Sequence, residues 1–106
     1  MRIAEVFVQE ELAGTLAETD KKRYVFTYIE KYSGPPVSLT MPPSTKEYEF
    51  YVFPPFFEGL LPEGIQLDSL LKREKIDKND YFSQLLTVGQ DLVGDVTVLA
   101  QKGDKT

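Results

Sequence analysis

The protein has 106 residues, a formal net charge of −5, and neither cysteine nor histidine. This length suits one domain with a single core, and the two missing residue types exclude disulfides, thiol chemistry, histidine base catalysis and histidine-ligated metal sites. The acidic balance argues against direct nucleic-acid binding, which relies on Lys and Arg to neutralise phosphates.

The sequence also lacks the signals of a membrane-bound or secreted protein. No apolar run is long enough to span a membrane, and residues 1–8 lack the basic start and apolar stretch of a secretory signal. We therefore expect a cytoplasmic protein without membrane contact. Because there is no internal repeat or long linker, residues 1–106 are predicted to form one domain, with about 101–106 as a polar tail.

The first third of the chain has the pattern of antiparallel strands. Alternating apolar residues predict a strand over Ile3–Val8, and Gly14 is predicted to be the turn into a short partner strand, residues 15–18. A polar turn at residues 20–22 precedes residues 23–29, which are rich in aromatic and β-branched side chains. Short strands joined by tight turns predict a β-meander.

The middle of the chain is interrupted by prolines. Residues 33–36 and 41–44 contain breaks, and residues 37–40 between them are predicted to be extended. Residues 47–53 fit either a further strand or the approach to a helix, because their periodicity does not separate the two.

A short apolar helix is predicted between the prolines of residues 54–64. Pro54 or Pro55 suits the first helical turn, and Pro62 and Gly64 are predicted to end the helix about two turns later. Four large apolar side chains would then share one helical face: Phe56, Phe57, Leu60 and Leu61.

The last third of the chain is predicted to be helical, with a closing strand. Leucines at 67, 70 and 71 repeat at helical spacing, and Asp77 or Asn79 is a candidate N-cap for the next helix, which Gly89 would end as its C′ residue. Residues 96–100 then form a strand. The predicted fold class is α+β: an antiparallel β-meander or partial barrel with two to three short helices packed on one side.

Three blocks of this sequence, in this order, resemble the N-terminal subdomain of the HipA family of toxin kinases. Residues 36–42 are similar to a Pro-Leu-Ser-x-Ser-x-Pro pattern, and residues 56–63 to Phe-Phe-x-x-Leu-Leu-Pro-(Glu/Asp). The block within residues 81–99 is similar to Leu-Leu-x-x-Ile-Gly-x-Asp-x-x-Gly-Ala-Val. Asp95 is a departure, since the family pattern has a small residue there.

The resemblance implies a small protein that corresponds to one subdomain of a kinase. The kinase motifs of that family lie downstream of the matched region, so the resemblance does not carry kinase activity over. It implies a HipS-like, non-catalytic antitoxin or accessory protein whose partner is a HipT/HipA-like serine/threonine kinase, together with a HipB-like DNA-binding protein. No cofactor, metal ion or catalytic residue is expected.

The predicted partner-binding residues are Glu63, Gly64, Ile65 and Gln66. The turn that they form should be exposed, and Ile65 follows a glycine without an obvious core partner. An equally weighted interpretation makes Ile65 a hydrophobic C-cap contact. If this turn is not the docking edge, the sheet face around Tyr24, Phe26 and Tyr28 is the next candidate.

Other functions stay open from the sequence. The protein could activate the kinase rather than restrain it, or be an excised N-terminal subdomain of a full-length HipA-like kinase. It could also be a small stand-alone enzyme that uses acidic residues: Glu58 and Glu63, or Asp91 and Asp95. Phosphoryl transfer is not expected, because the dispersed glycines form no phosphate loop followed by a usable lysine.

Overall fold

The computed structural model describes residues 1–19, 22–92 and 94–101. Within them the elements are, in chain order: β1 (Arg2–Val8), β2 (Glu11–Glu18), β3 (Tyr24–Tyr28), β4 (Glu47–Phe50), α1 (Pro55–Glu58), α2 (Gly64–Glu74), α3 (Tyr81–Val88) and β5 (Val96–Ala100). Asp20 and Lys21 of the predicted turn and residues 102–106 of the predicted tail lie outside the described residues.

The strands form one open antiparallel sheet in the order β4-β3-β2-β1-β5. Strands β1 to β3 form the predicted meander, β4 extends it beside β3, and β5 pairs with the free side of β1, with Val6 opposite Val98. The α+β class, with helices packed on the sheet, is therefore confirmed.

The core lies between the helices and one side of the sheet, which we call the inner face. Its buried strand residues are Ala4, Val6, Val8, Leu16, Phe26, Tyr28 and Val98. They form one cluster with Phe57 of α1 and with Phe82 and Leu85 of α3. Each of the larger buried side chains stabilises the fold by roughly 1.5–3 kcal/mol.

The first hairpin turn is not where the sequence predicted it. The turn is at Gln9 and Glu10, which both have positive φ (52° and 70°), whereas Gly14 lies inside β2. Gly14 is needed there for space, because a Cβ at this position would come within 2.2 Å of the Thr27 carbonyl oxygen. The prediction failed because a glycine that allows close packing has the same sequence signal as a glycine in a turn.

The segment before the first helix contains a strand. β4 covers Glu47–Phe50 and pairs with β3, which resolves the ambiguity of residues 47–53. Helix α1 then begins with Pro55 in its first turn, as predicted, but it has only four residues, Pro55–Glu58. Gly64 does not end this helix: with φ of 61° it is the first residue of α2.

Helix α3 is capped by Asp80 and not by the predicted Asp77 or Asn79. The Asp80 side chain accepts a hydrogen bond from the Ser83 backbone N–H, while Asp77 Oδ1 accepts one from the Asn79 N–H within the preceding turn. Gly89 follows the helix as predicted, but its φ of −59° is right-handed. It is required for space, since a Cβ would meet the Val98 carbonyl oxygen at 1.8 Å.

Candidate functional site

The four predicted partner-binding residues lie together on the surface, where the chain enters α2. We call Glu63, Gly64, Ile65 and Gln66 the docking loop; all four are exposed. The Ile65 side chain is 83% exposed, so it makes no hydrophobic C-cap contact. Single exposed apolar residues are common on protein surfaces, and the surroundings of Ile65 therefore decide its interpretation.

Buried leucines hold the docking loop on both sides. Leu61, before the loop, belongs to the core cluster, and Leu70, two turns into α2, is 3% exposed. Hydrogen bonds from the N–H groups of Leu60 and Leu61 to the carbonyls of Phe57 and Glu58 turn the chain directly after α1. The loop therefore presents Ile65 from a fixed base.

Gly64 sets the direction in which Ile65 leaves the fold. Its φ of 61° is in the left-handed region that L side chains rarely adopt, although a Cβ there would meet nothing within 4 Å. Glu63 before it is extended, and the Glu63 carbonyl accepts the N–H of Leu67 at 3.4 Å. A backbone reversal, and not packing, thus requires the glycine.

The first candidate carboxylate pair, Glu58 and Glu63, lies beside the docking loop. Both line a shallow depression of about 180 Å³, together with Leu61, Pro62, Leu67, Tyr81 and Gln84. Both carboxylates are exposed, whereas catalytic side chains usually lie in a deeper cleft. The buried Gln84 also lines the depression, and its side-chain amide already donates hydrogen bonds to the carbonyls of Asp77 and Lys78.

The second candidate pair, Asp91 and Asp95, is also exposed. Asp95 has a structural role, because its backbone and side-chain oxygens accept hydrogen bonds from the N–H and side-chain amide of Gln9 at 2.9 and 3.4 Å. It thus joins the β1–β2 turn to the start of β5. Among the described residues, no group of three or more acidic side chains could hold a metal ion.

An ion-pair network that the sequence analysis missed joins the sheet to α3. The Arg2 guanidinium donates to Glu18 at 2.8 Å, to Ser83 at 2.8 Å and to Asp80 at 3.0 Å. It also lies 4.9 Å from the centre of the Phe82 ring. No sequence signal marked Arg2, since a basic residue at the start of a strand is usually solvated.

The same network perturbs the Asp80 carboxyl. Burial by itself raises the pKa of Asp80, but the hydrogen bonds from Arg2 and Ser83 outweigh it, so that the pKa of Asp80 lies below its ordinary value. The charged carboxylate is thus the form that holds Arg2 and caps α3.

The proline-rich block before β4 is organised by Tyr28. The buried Tyr28 hydroxyl accepts the Val37 N–H at 3.0 Å and donates to the Met41 carbonyl. Its burial raises the pKa of Tyr28. Residues 38–41 form a turn closed by the Met41 N–H on the Ser38 carbonyl at 2.9 Å, and the predicted extended segment is therefore wrong.

The alternative docking surface proposed from the sequence is not available. Tyr24, Phe26 and Tyr28 point to the inner face, where Phe26 and Tyr28 are buried and Tyr24 packs against the core. The strand alternation was predicted correctly, but alternation does not reveal which side of a sheet the helices cover.

The order of these elements matches a known family. Residues 4–99 match the family model described as the HipA N-terminal domain. The chain belongs to this family. Its structure also matches a solved "N-terminal domain of HipA toxin" with a TM-score of 0.78 and 28% identity, covering 98% of this chain and 96% of the other.

Relatives of this HipA N-terminal domain occur both as small proteins and within long ones. An uncharacterized protein of Haemophilus influenzae is 31% identical over 102 residues, which cover 96% of this chain and 95% of the relative. The putative kinase Y4dM of Sinorhizobium fredii is 33% identical over 112 residues, but the match covers only 27% of it.

A further solved structure shows the same fold within a larger assembly. It is a complex of HipA, HipB and operator DNA from Shewanella oneidensis, matched with a TM-score of 0.72 and 22% identity over 97% of this chain and 24% of that chain. No helix in the described part of this HipA N-terminal domain is long and apolar enough to cross a membrane.

Proposed function

We propose that the protein is a non-catalytic regulatory subunit, antitoxin-like in role, that binds a HipT/HipA-type serine/threonine kinase in a toxin–antitoxin system. The observation that carries the proposal is an exposed isoleucine directly after the left-handed Gly64 in a HipA N-terminal domain. A putative kinase contains a region similar to this chain, which covers 27% of the kinase, and this supports a kinase as the partner.

The docking loop has the composition of a small interface centre. Ile65 supplies an apolar side chain, with Glu63 before it and Gln66 after it as polar neighbours. Burial of Ile65 against a partner would contribute roughly 1.5–3 kcal/mol. Because Leu61 and Leu70 already fix the loop, little conformational entropy is lost on binding.

The described residues argue for binding and against catalysis. The carboxylates of both candidate pairs are exposed, so neither pair lies in a water-excluded cleft. The sequence also lacks a glycine-rich loop with a following lysine. We therefore infer that the protein uses no cofactor and acts in the cytoplasm beside its kinase.

A second candidate function is that of an N-terminal subdomain within a full-length HipA-like kinase. The observation that favours it is the match to 27% of the putative kinase Y4dM. In that case, the same loop would contact the remainder of the same chain. A HipB-like DNA-binding protein is a proposed third component in either case, since the net charge of −5 disfavours direct DNA contact by this domain.

The test is co-expression with a kinase of this family that is encoded beside the protein and lacks this subdomain. We expect the two proteins to co-purify, and the growth defect caused by the kinase to change when the protein is present. A kinase that neither co-purifies with the protein nor responds to it in the growth assay contradicts the proposal.

A further inference from the structure

The sheet has a second side, which the helices do not cover. We call it the outer face. Its residues occupy the alternate strand positions that point away from the helices, and they include Glu5, Phe7, Leu12, Val25, Thr97 and Leu99. Within the described part of the chain, none of these residues belongs to the core cluster or packs against it. All six are half-buried, and they differ in this from the fully buried inner-face residues.

The outer face is more apolar than a solvated sheet face requires. Antiparallel sheets with one wet side alternate apolar inward and polar outward residues. Here Phe7, Leu12 and Leu99 occupy outward positions around a shallow depression, of about 210 Å³, lined by Phe7, Glu10, Thr97 and Leu99. Contiguous apolar surface of this kind is typical of interaction sites.

In the described part of the chain, carboxylates outnumber basic groups on this face, where Arg23 is paired with Glu49. Glu5 lies between Thr15 and Leu99 in the cross-strand register, and among the described residues no hydrogen bond or ion pair holds its carboxylate. Glu47 and Glu49 stand at the β4 edge of the same face, opposite Thr27 and Val25, and Glu49 is paired with Arg23 at 3.2 Å. An unpaired carboxylate within an apolar patch is complementary to a basic group on a partner.

We propose that the outer face is a second docking surface for the kinase, and that it takes a part of the kinase surface that is apolar at its centre and carries a Lys or Arg opposite Glu5. This inference rests on the proposed function and adds the chemistry of the partner surface. The docking loop and the outer face would then be two separate contacts with the kinase.

The charge distribution selects this occupant over two others. A second copy of the chain that packed face to face about a two-fold axis near Glu5 would bring the two Glu5 carboxylates together, which is unfavourable. Nucleic acid is disfavoured in the same way, since its phosphates would face the carboxylates of Glu5 and Glu47, while Arg23 is already paired with Glu49.

The experiment is calorimetric titration of the kinase with the wild-type protein and three variants, at about 50 and 300 mM salt. Glu5→Lys reverses the charge at the centre of the face, and Leu99→Thr removes apolar surface but keeps a strand-forming residue. Glu74→Lys is the control: it makes the same charge change at the exposed end of α2, where the carboxylate is paired with the neighbouring Arg73 side chain at 3.3 Å.

We expect Glu5→Lys to weaken binding about tenfold at low salt, with a smaller salt dependence than the wild type, and Leu99→Thr to weaken it about threefold to tenfold. Glu74→Lys should bind as the wild type does. Thermal melts of all three variants should stay near that of the wild type, because the changed side chains lie outside the core.

The outcomes separate this inference from the proposed function. If the kinase binds the wild type, and Glu5→Lys and Leu99→Thr bind it equally well, the outer face is not a docking surface, while the proposed function stands. If the kinase does not bind the wild type at all, both are overturned. If light scattering shows a wild-type dimer that Leu99→Thr dissolves, a second copy occupies the face and the inference is wrong.

Discussion

Substitution of Asp80 tests whether the Arg2 network stabilises the fold through a charge or only through helix capping. Asp80 caps α3 through the Ser83 N–H at 3.1 Å and receives the Arg2 guanidinium at 3.0 Å. Asn has nearly the shape of the protonated acid and is itself a good N-cap, so Asp80→Asn removes the charge and keeps the cap. Asp80→Ala removes both.

The expected magnitudes follow from these contacts. A lost N-cap costs about 1 kcal/mol, and a partly exposed ion pair contributes about 0.2–1 kcal/mol. We therefore expect Asp80→Asn to lower the free energy of unfolding by about 0.5–1 kcal/mol near neutral pH, and Asp80→Ala by about 1–2 kcal/mol.

The effect of pH has a defined sign. The pKa of Asp80 in the folded protein lies below its ordinary value of 3.8. The stabilisation by its carboxylate is therefore fully present above the pKa of the unfolded chain, and it is lost as the pH falls through the lower pKa of the folded state. Acid should thus destabilise the wild type more than Asp80→Asn.

Urea denaturation followed by far-UV circular dichroism, near neutral pH and at about pH 2.5, measures both effects. The difference between the wild type and Asp80→Asn should narrow in acid, while Asp80→Ala stays less stable because it lacks a cap. A difference between the wild type and Asp80→Asn that is equally large at both pH values would refute the electrostatic role. So would an Asp80→Ala variant as stable as the wild type.

Three further outcomes are expected. Phe57→Ala, at a side chain with no exposed surface, should lower the free energy of unfolding by about 3–5 kcal/mol, seen as a much lower melting temperature; an unchanged melt would contradict the core assignment. The purified protein should neither hydrolyse ATP nor transfer its phosphate, and turnover that survives purification and disappears in Asp91→Asn would show otherwise. Fluorescence anisotropy at about 150 mM salt should detect no duplex DNA binding, and a salt-sensitive micromolar complex would overturn this.

The class of fold was predictable because alternation and helical spacing are strong local signals. These signals correctly predicted β1, β3, β5 and the helical last third of the chain. The three sequence blocks correctly predicted the family. Element ends were less predictable, because they depend on single glycines and caps. Gly14 failed as a predicted turn residue and Gly64 as a predicted helix stop, since local sequence does not separate a glycine needed for space from one needed for its backbone angle, whereas Gly89 follows α3 as predicted.

The exposure of the docking loop was predictable, but the contacts around it were not. The exposure was expected from the turn after Pro62 and from an isoleucine that follows a glycine and has no obvious core partner. Arg2 and Asp80, by contrast, are separated by 78 residues, and only the folded chain brings them into contact. Likewise, the helices determine which sheet face is covered, and periodicity within one strand carries no information about them.

The central claim is that Ile65 docks on a kinase, and the most direct measurement is the affinity of the co-expressed kinase for Ile65→Asp. Leu39→Asp is the matched control, since Leu39 is 92% exposed on a different loop. A charge at the centre of an interface is costly but is tolerated at an exposed turn of the free protein. We predict that Ile65→Asp melts like the wild type and binds the kinase at least about tenfold more weakly, with Leu39→Asp unchanged. Binding of Ile65→Asp at wild-type affinity would contradict the account.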